Sequence, residues 1–257
     1  MALVCIVRVL ASLPCVLTAS PHPSTLQTHS MSSPGEIAKK INSGYANGVT
    51  ELTALRTAGK DVDIVDVVSR LEPPGIFSNK PLWVELSMVL QYSKPWTKLA
   101  VIEMMDSHIP RGSQVTPDKE HIYEPTLVAF GPLFSIMDDY VHVSNSRAFL
   151  STLLSFAMNH CSNVFFARPM VPGARTFVAH LRRAMKEDDA LYRKMVPVLS
   201  NMVAGEDVAP TFRELNVEDT VTPLLADREA INRVFGMAAT DACREFPSHY
   251  WLVLQAH

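Results

Sequence analysis

The sequence lacks a cysteine-pairing pattern. Its four, Cys5, Cys15, Cys161 and Cys243, form no Cys-x-x-Cys step and stand at no metal-binding spacing with histidine. Neither a disulfide scaffold nor a zinc site is indicated. Enzyme signatures are also missing, because there is no glycine-rich phosphate loop, no His-Glu-x-x-His and no Gly-x-Ser-x-Gly elbow. His160 and Cys161 are adjacent, and neighbours on a helix project about 100° apart, so they make no catalytic dyad and Cys161 reads as an inert core thiol. Asp138-Asp139 and Glu187-Asp188-Asp189 have no complementary ligand pattern and read as caps and solvated faces. The chain is therefore read as a non-enzyme, with no catalytic residue, cofactor or metal.

A strong net charge is missing too, since 23 basic against 26 acidic residues leave -3. This argues against a surface made for nucleic acid throughout, while leaving room for a local basic groove. Beyond the N-terminal segment no run reaches the roughly 18 uninterrupted apolar residues of a transmembrane helix, so no membrane span is expected. Residues 1–30 contain no acid at all. Three readings fit them: a secretory signal cleaved near Thr18-Ala19-Ser20, a mitochondrial presequence, or translation upstream of Met31.

What the sequence does have is apolar mass. With 257 residues and 47% hydrophobic content it can bury a substantial core. The stretch Pro81 to Met105 holds two apolar helical runs. Leu82, Leu86, Val89 and Leu90 make one stripe beside Trp83, and Leu99, Val101, Ile102 and Met105 make the other. Between them Lys94 precedes Pro95, which disfavours a helical lysine and breaks the run. Tyr92, Lys94, Trp96 and Lys98 thus gather at a corner. Such a corner suits phosphates and a stacked base, or equally a solvated helix boundary with snorkelling lysines.

Elsewhere, Ser33-Pro34-Gly35-Glu36 carries a helix start, with Ser33 as cap. A helix to about Asn42 and a second from Thr50 to Arg56 form a 31–59 arm, either mobile or packed on the core. Asp61 or Asp63 caps the next helix, and Glu72-Pro73-Pro74-Gly75 ends it. A polar connection from His108 to Pro125 divides an N-terminal lobe, 60–115, from a C-terminal lobe, 116–257. The segment from Thr126 to Met137 is dense enough in apolar residues to be central, and a helix starts near Ser144. Residues 164–173 read as a proline-broken loop, and helices follow over Phe177 to Met185 and Leu191 to Val203, the latter interrupted at Pro197. Thr211 to Leu215, Val221 to Leu225 and Asp227 to Met237 complete an all-α, two-lobed domain, and Phe246 to His257 forms an aromatic tail.

The charge is unevenly spread. Residues 140–205 carry eight basic against three acidic side chains, whereas 206–257 carry four against nine. Arg147, Arg168, Arg175, Arg182, Arg183, Lys186, Arg193 and Lys194 make one basic segment, which either lines a cleft for a polyanion or forms solvated faces.

The order of Asp63 to Gly75, Trp83 to Leu90, Ser93-Lys94-Pro95, Glu103-Met104-Met105 and Thr126-Leu127-Val128-Ala129-Phe130 resembles the nucleocapsid proteins of phleboviruses and tenuiviruses. Val208-Ala209-Pro210-Thr211-Phe212 and Val234-Phe235-Gly236-Met237 continue the resemblance. Lys94 is similar to that family's RNA-binding corner lysine, while Gln91 and Ala129 stand where the family has arginines. The resemblance implies a helical protein that encapsidates single-stranded genomic RNA in a basic cleft. The contacts would come from Tyr92, Lys94, Trp96, Lys98, Arg147, Arg168, Arg175, Arg182 and Arg183. It also implies self-assembly, with Ile37, Ile41, Leu52 and Leu55 of the arm docking on the next protomer, so that removal of the chain up to Gly59 would leave a soluble monomer. A viral polymerase is a further implied partner, and virion and host cytoplasm the implied location. The alternative is a cellular adaptor that binds a peptide, mitochondrial or secreted if residues 1–30 are a targeting segment.

Overall fold

The computed structural model describes residues 32–140, 146–205, 207–217 and 220. Every regular element among them is helical. The helices are α1 (Pro34–Asn42), α2 (Ala46–Thr57), α3 (Asp61–Val68), α4 (Lys80–Tyr92), α5 (Pro95–His108), α6 (Glu120–Tyr123), α7 (Leu127–Phe130), α8 (Ser146–His160), α9 (Val164–Ala167), α10 (Ala174–Glu187), α11 (Asp189–Val203) and α12 (Ala209–Glu214). Residues 1–30, the start expected near Ser144, the helices expected from Val221 to Met237 and the tail from Phe246 lie outside the described residues.

Local signals explain the first turns. Ser33 Oγ accepts the Glu36 N–H at 3.4 Å while Glu36 returns a carboxylate to the Ser33 N–H at 2.9 Å, which is the reciprocal cap expected of Ser-Pro-Gly-Glu. Helix α2 starts four residues before Thr50. Its partner faces are decided by packing, since Ile37 and Ile41 of α1 and Leu52 and Leu55 of α2 are all buried in the same core as Leu86 and Trp83. Lys40 pairs with Glu51 at 2.6 Å, and Asn42 ties the end of α1 to the Arg70 carbonyl and the Glu72 N–H. The arm therefore packs on its own chain. Its four apolar residues, expected to be offered to a neighbour, are covered in this conformation. Removing it would strip the core of α3 and α4 bare, so a soluble monomer after truncation at Gly59 is no longer the expected outcome.

One apolar core runs from Ile37 to Val217. Across the expected seam, α4 packs on α7 and α5 on α8. The polar connection itself is built of short helical turns and is pinned to α8, where a Cβ on Gly112 would stand 2.3 Å from the His160 carbonyl oxygen. Only glycine permits that approach. The dense apolar stretch after Thr126 is central, as its composition suggests, with Phe130, Leu133, Phe134 and Met137 fully buried. Pro132 lacks an N–H and cuts this stretch into α7 and a 3-10 helix over 135–140. Two proline effects expected from sequence do not occur: residues 164–173 are helical throughout, as α9 and a 3-10 helix, and α11 continues through Pro197.

Candidate nucleic-acid interface

Helix α4 ends at Tyr92 and α5 begins at Pro95, leaving Ser93 and Lys94 extended. Lys94 adopts φ -66° and ψ 154°, the conformation that a following proline favours. Its backbone is held from below by a buried acid. Asp61 Oδ1 accepts the Lys94 N–H at 3.1 Å and the Thr97 hydroxyl at 2.7 Å. Asp61 or Asp63 was expected to cap α3; Asp61 instead bonds the Lys94 N–H and the Thr97 hydroxyl at the start of α5, the helix on which α3 packs. The Tyr140 hydroxyl donates to the Pro95 carbonyl at 3.2 Å. Burial, with the nearby Asp139 charge adding to it, pushes the Tyr140 phenol far above the usual range, so the donor stays protonated.

This fixed backbone projects three side chains into solvent. Lys94 has a side chain 64% exposed, Tyr92 is 68% exposed and Trp96 44%. The Lys94 ammonium lies 3.9 Å from Asp61 Oδ2, a loose contact that leaves its outer face open. Lys98, one turn further on, behaves oppositely. It is 3% exposed, donates to the Gln91 carbonyl at 3.1 Å and pairs with Asp139. Its expected role as a phosphate contact is therefore corrected: the ammonium is used inside the fold. The neighbouring Asp138 accepts from His180 Nε2 of α10 at 2.8 Å, so two consecutive aspartates tie α5 and α10 to one 3-10 helix. Gln91 is exposed, and its side-chain amide donates to the Ser87 hydroxyl at 3.3 Å.

The basic segment divides into several places rather than one. Arg147 pairs with Asp188 at 2.5 Å, and Asp188 also caps α11 through the Leu191 N–H at 3.0 Å. Partial desolvation pushes the Asp188 carboxyl up, but hydrogen bonds from Arg147 and the N–H groups of Leu191 and Ala190 outweigh it and hold the carboxyl below the ordinary range. Arg168 pairs with Asp207. Arg182 donates to the carbonyls of Leu215 at 2.6 Å and Asn216 at 3.2 Å, closing the turn in which Asn216 takes φ 50°. Arg183 lies 3.7 Å from Glu187. Arg175 is exposed on the first turn of α10.

Lys194 belongs to the basic segment but not to the contacts expected for RNA. It sits beside Arg147 across the α8–α11 contact, with its ammonium bonded to Ser151. Spacing alone could have put Arg147 and Ser151 on one face, but only the pairing of α8 with α11 brings Lys194 to them. Cys161 is buried, which pushes its thiol up to about 12 and leaves it unreactive. Among the described residues no cluster of His, Cys, Asp or Glu could hold a metal ion, and no helix is long and apolar enough to cross a membrane. Comparison with protein-family models, curated proteins and solved structures returns no match.

Proposed function

We propose that the chain binds single-stranded RNA without sequence preference and packages it in a self-assembled ribonucleoprotein, with no chemical step of its own. The observation that carries this reading is the α4–α5 corner, where an open lysine is flanked in sequence by two exposed aromatic residues on a backbone fixed by Asp61 and Tyr140. Lys94 would neutralise a phosphate. A base stacked on Tyr92 or Trp96 would add about 1–3 kcal/mol, a contribution that tolerates any base. Arg175 and the open side of Arg183 would extend the basic surface along α10.

Assembly, in this reading, passes α1 and α2 to the next protomer, where Ile37, Ile41, Leu52 and Leu55 would fill the same pocket they fill in cis. Gly59, at φ 65°, and Lys60 form the joint that would open. A viral polymerase as partner, and virion and host cytoplasm as location, rest on the resemblance in segment order alone.

The test is absorbance at 260 against 280 nm on protein purified from cells, extraction of any bound nucleic acid, and titration of fluorescently labelled oligouridine. Heterogeneous RNA, lost when Tyr92, Lys94 and Trp96 are all replaced by alanine, is the expected result. A nucleic-acid-free monomer that also fails to bind added oligouridine at low salt overturns the proposal.

A further inference from the structure

A second cationic place lies between α8 and α11. Ser146, Arg147 and Ser151 from one helix, and Leu191 and Lys194 from the other, line an open groove of about 580 Å³. That is within the size range of small-ligand sites, which begins at roughly 300 Å³. Two cations and two hydroxyls line it together with Ala148, Ala190 and Leu191, and no carboxylate is among its described lining residues. The donors suit an oxyanion with several acceptor atoms. One oxyanion already lies at its edge, because the Asp188 carboxylate engages Arg147 from the N-cap of α11.

We infer that this groove seats one nucleotide of a bound RNA strand by its phosphate, held by Arg147, Lys194 and the Ser146 and Ser151 hydroxyls, and that Asp188 is an internal competitor which the phosphate displaces from Arg147. The inference rests on the RNA-binding reading. The Arg147–Asp188 pair is largely exposed on its arginine side, and such pairs are weakly held. Asp188 also loses nothing at the helix when it releases Arg147, because it keeps the Leu191 N–H. The exchange of one anion for another at Arg147 therefore carries little cost, and Lys194 needs only to let go of Ser151.

The test titrates the full chain with labelled 24-nucleotide oligouridine across a range of salt, with thermal melts checking that each variant is folded. Lys194→Ala is expected to weaken binding roughly threefold to tenfold and to lower the salt slope by about 0.7, the loss of one phosphate contact on a single strand. Arg147→Gln should do the same, and stands in if the first variant does not fold. Asp188→Asn keeps a capping acceptor and frees Arg147, so it should tighten binding roughly twofold to fivefold. If the native chain binds and Lys94→Ala weakens it, yet Lys194→Ala and Asp188→Asn both match the native chain, the groove is overturned while the RNA reading stands. If the native chain binds no oligouridine at low salt, both fall. Displacement of the RNA by polyglutamate of equal charge, lost in Lys194→Ala, would overturn the nucleotide in favour of an acidic peptide.

Discussion

The α4–α5 corner and the basic segment from Arg147 to Lys194 differ in how their cations are used. The corner has two lysines, one open and one buried. The basic segment has eight cations, and at least four of them, Arg147, Arg168, Arg182 and Arg183, are engaged with a carboxylate or with backbone carbonyls. A single lysine flanked in sequence by two exposed aromatic residues is thus a better-presented binding element than a longer run of arginines already held by the fold. Cation number sets the long-range field, whereas cation engagement decides which contacts are free to form.

Substitutions can break this comparison, and the largest effect should come at Lys98. Lys98→Ala removes a buried ammonium from Asp139 and from the Gln91 carbonyl, and should cost about 3 kcal/mol in a urea melt. Lys94→Ala, one turn away, should stay within about 0.5 kcal/mol of the native chain while weakening RNA binding. Equal stability losses at the two lysines would dissolve the distinction between them. Next is Asp61→Ala, which removes the cap on the Lys94 N–H and the partner of Thr97; it should cost about 1–2 kcal/mol and weaken RNA binding although Asp61 touches no ligand.

A smaller loss than at Lys98 or Asp61 belongs to Arg147→Ala, which should cost less than about 1 kcal/mol at pH 7 because its pair with Asp188 is partly exposed. The sign of its pH dependence is fixed. The Asp188 carboxyl titrates lower in the folded chain than in the unfolded one, so the pair contributes fully above the ordinary aspartate value of about 3.9 and is lost as pH falls through the folded value. Melts at pH 7 and at pH 3 should show the difference between native and variant shrinking. A difference that grows on acidification would mean that another group, and not Asp188, holds Arg147.

Much of the fold was legible because its signals are local. The Ser33–Glu36 cap, the Lys94-Pro95 break and the apolar stripes of α4 and α5 lie within a few residues, and each appears where its pattern placed it. The prolines at 169, 172 and 197 misled, because short helical turns and an already formed helix accommodate them when tertiary packing is favourable. At the α4–α5 corner, Tyr92, Lys94 and Trp96 were legible as candidates, and they are exposed. What separates Lys94 from Lys98 is Asp139, 41 residues along the chain, and what fixes the corner is Asp61, 33 residues before it. Partners at that separation leave no periodic trace in the sequence. The burial of Ile37, Ile41, Leu52 and Leu55 was equally beyond reach, because an arm that folds back and an arm that reaches out need the same apolar residues.

The cap that Asp61 places on α5 also bears on the kinetics of encounter. Under the proposed function, a phosphate arriving at Lys94 would meet a main chain already in its final shape, so only the rotamers of one side chain would remain to be ordered, a cost of about 0.5–1.5 kcal/mol. Contacts on such a footing can form and release one at a time along a polymer. Under the proposed RNA-binding function, weak contacts on a stiff support would let a bound strand peel away without unfolding what held it.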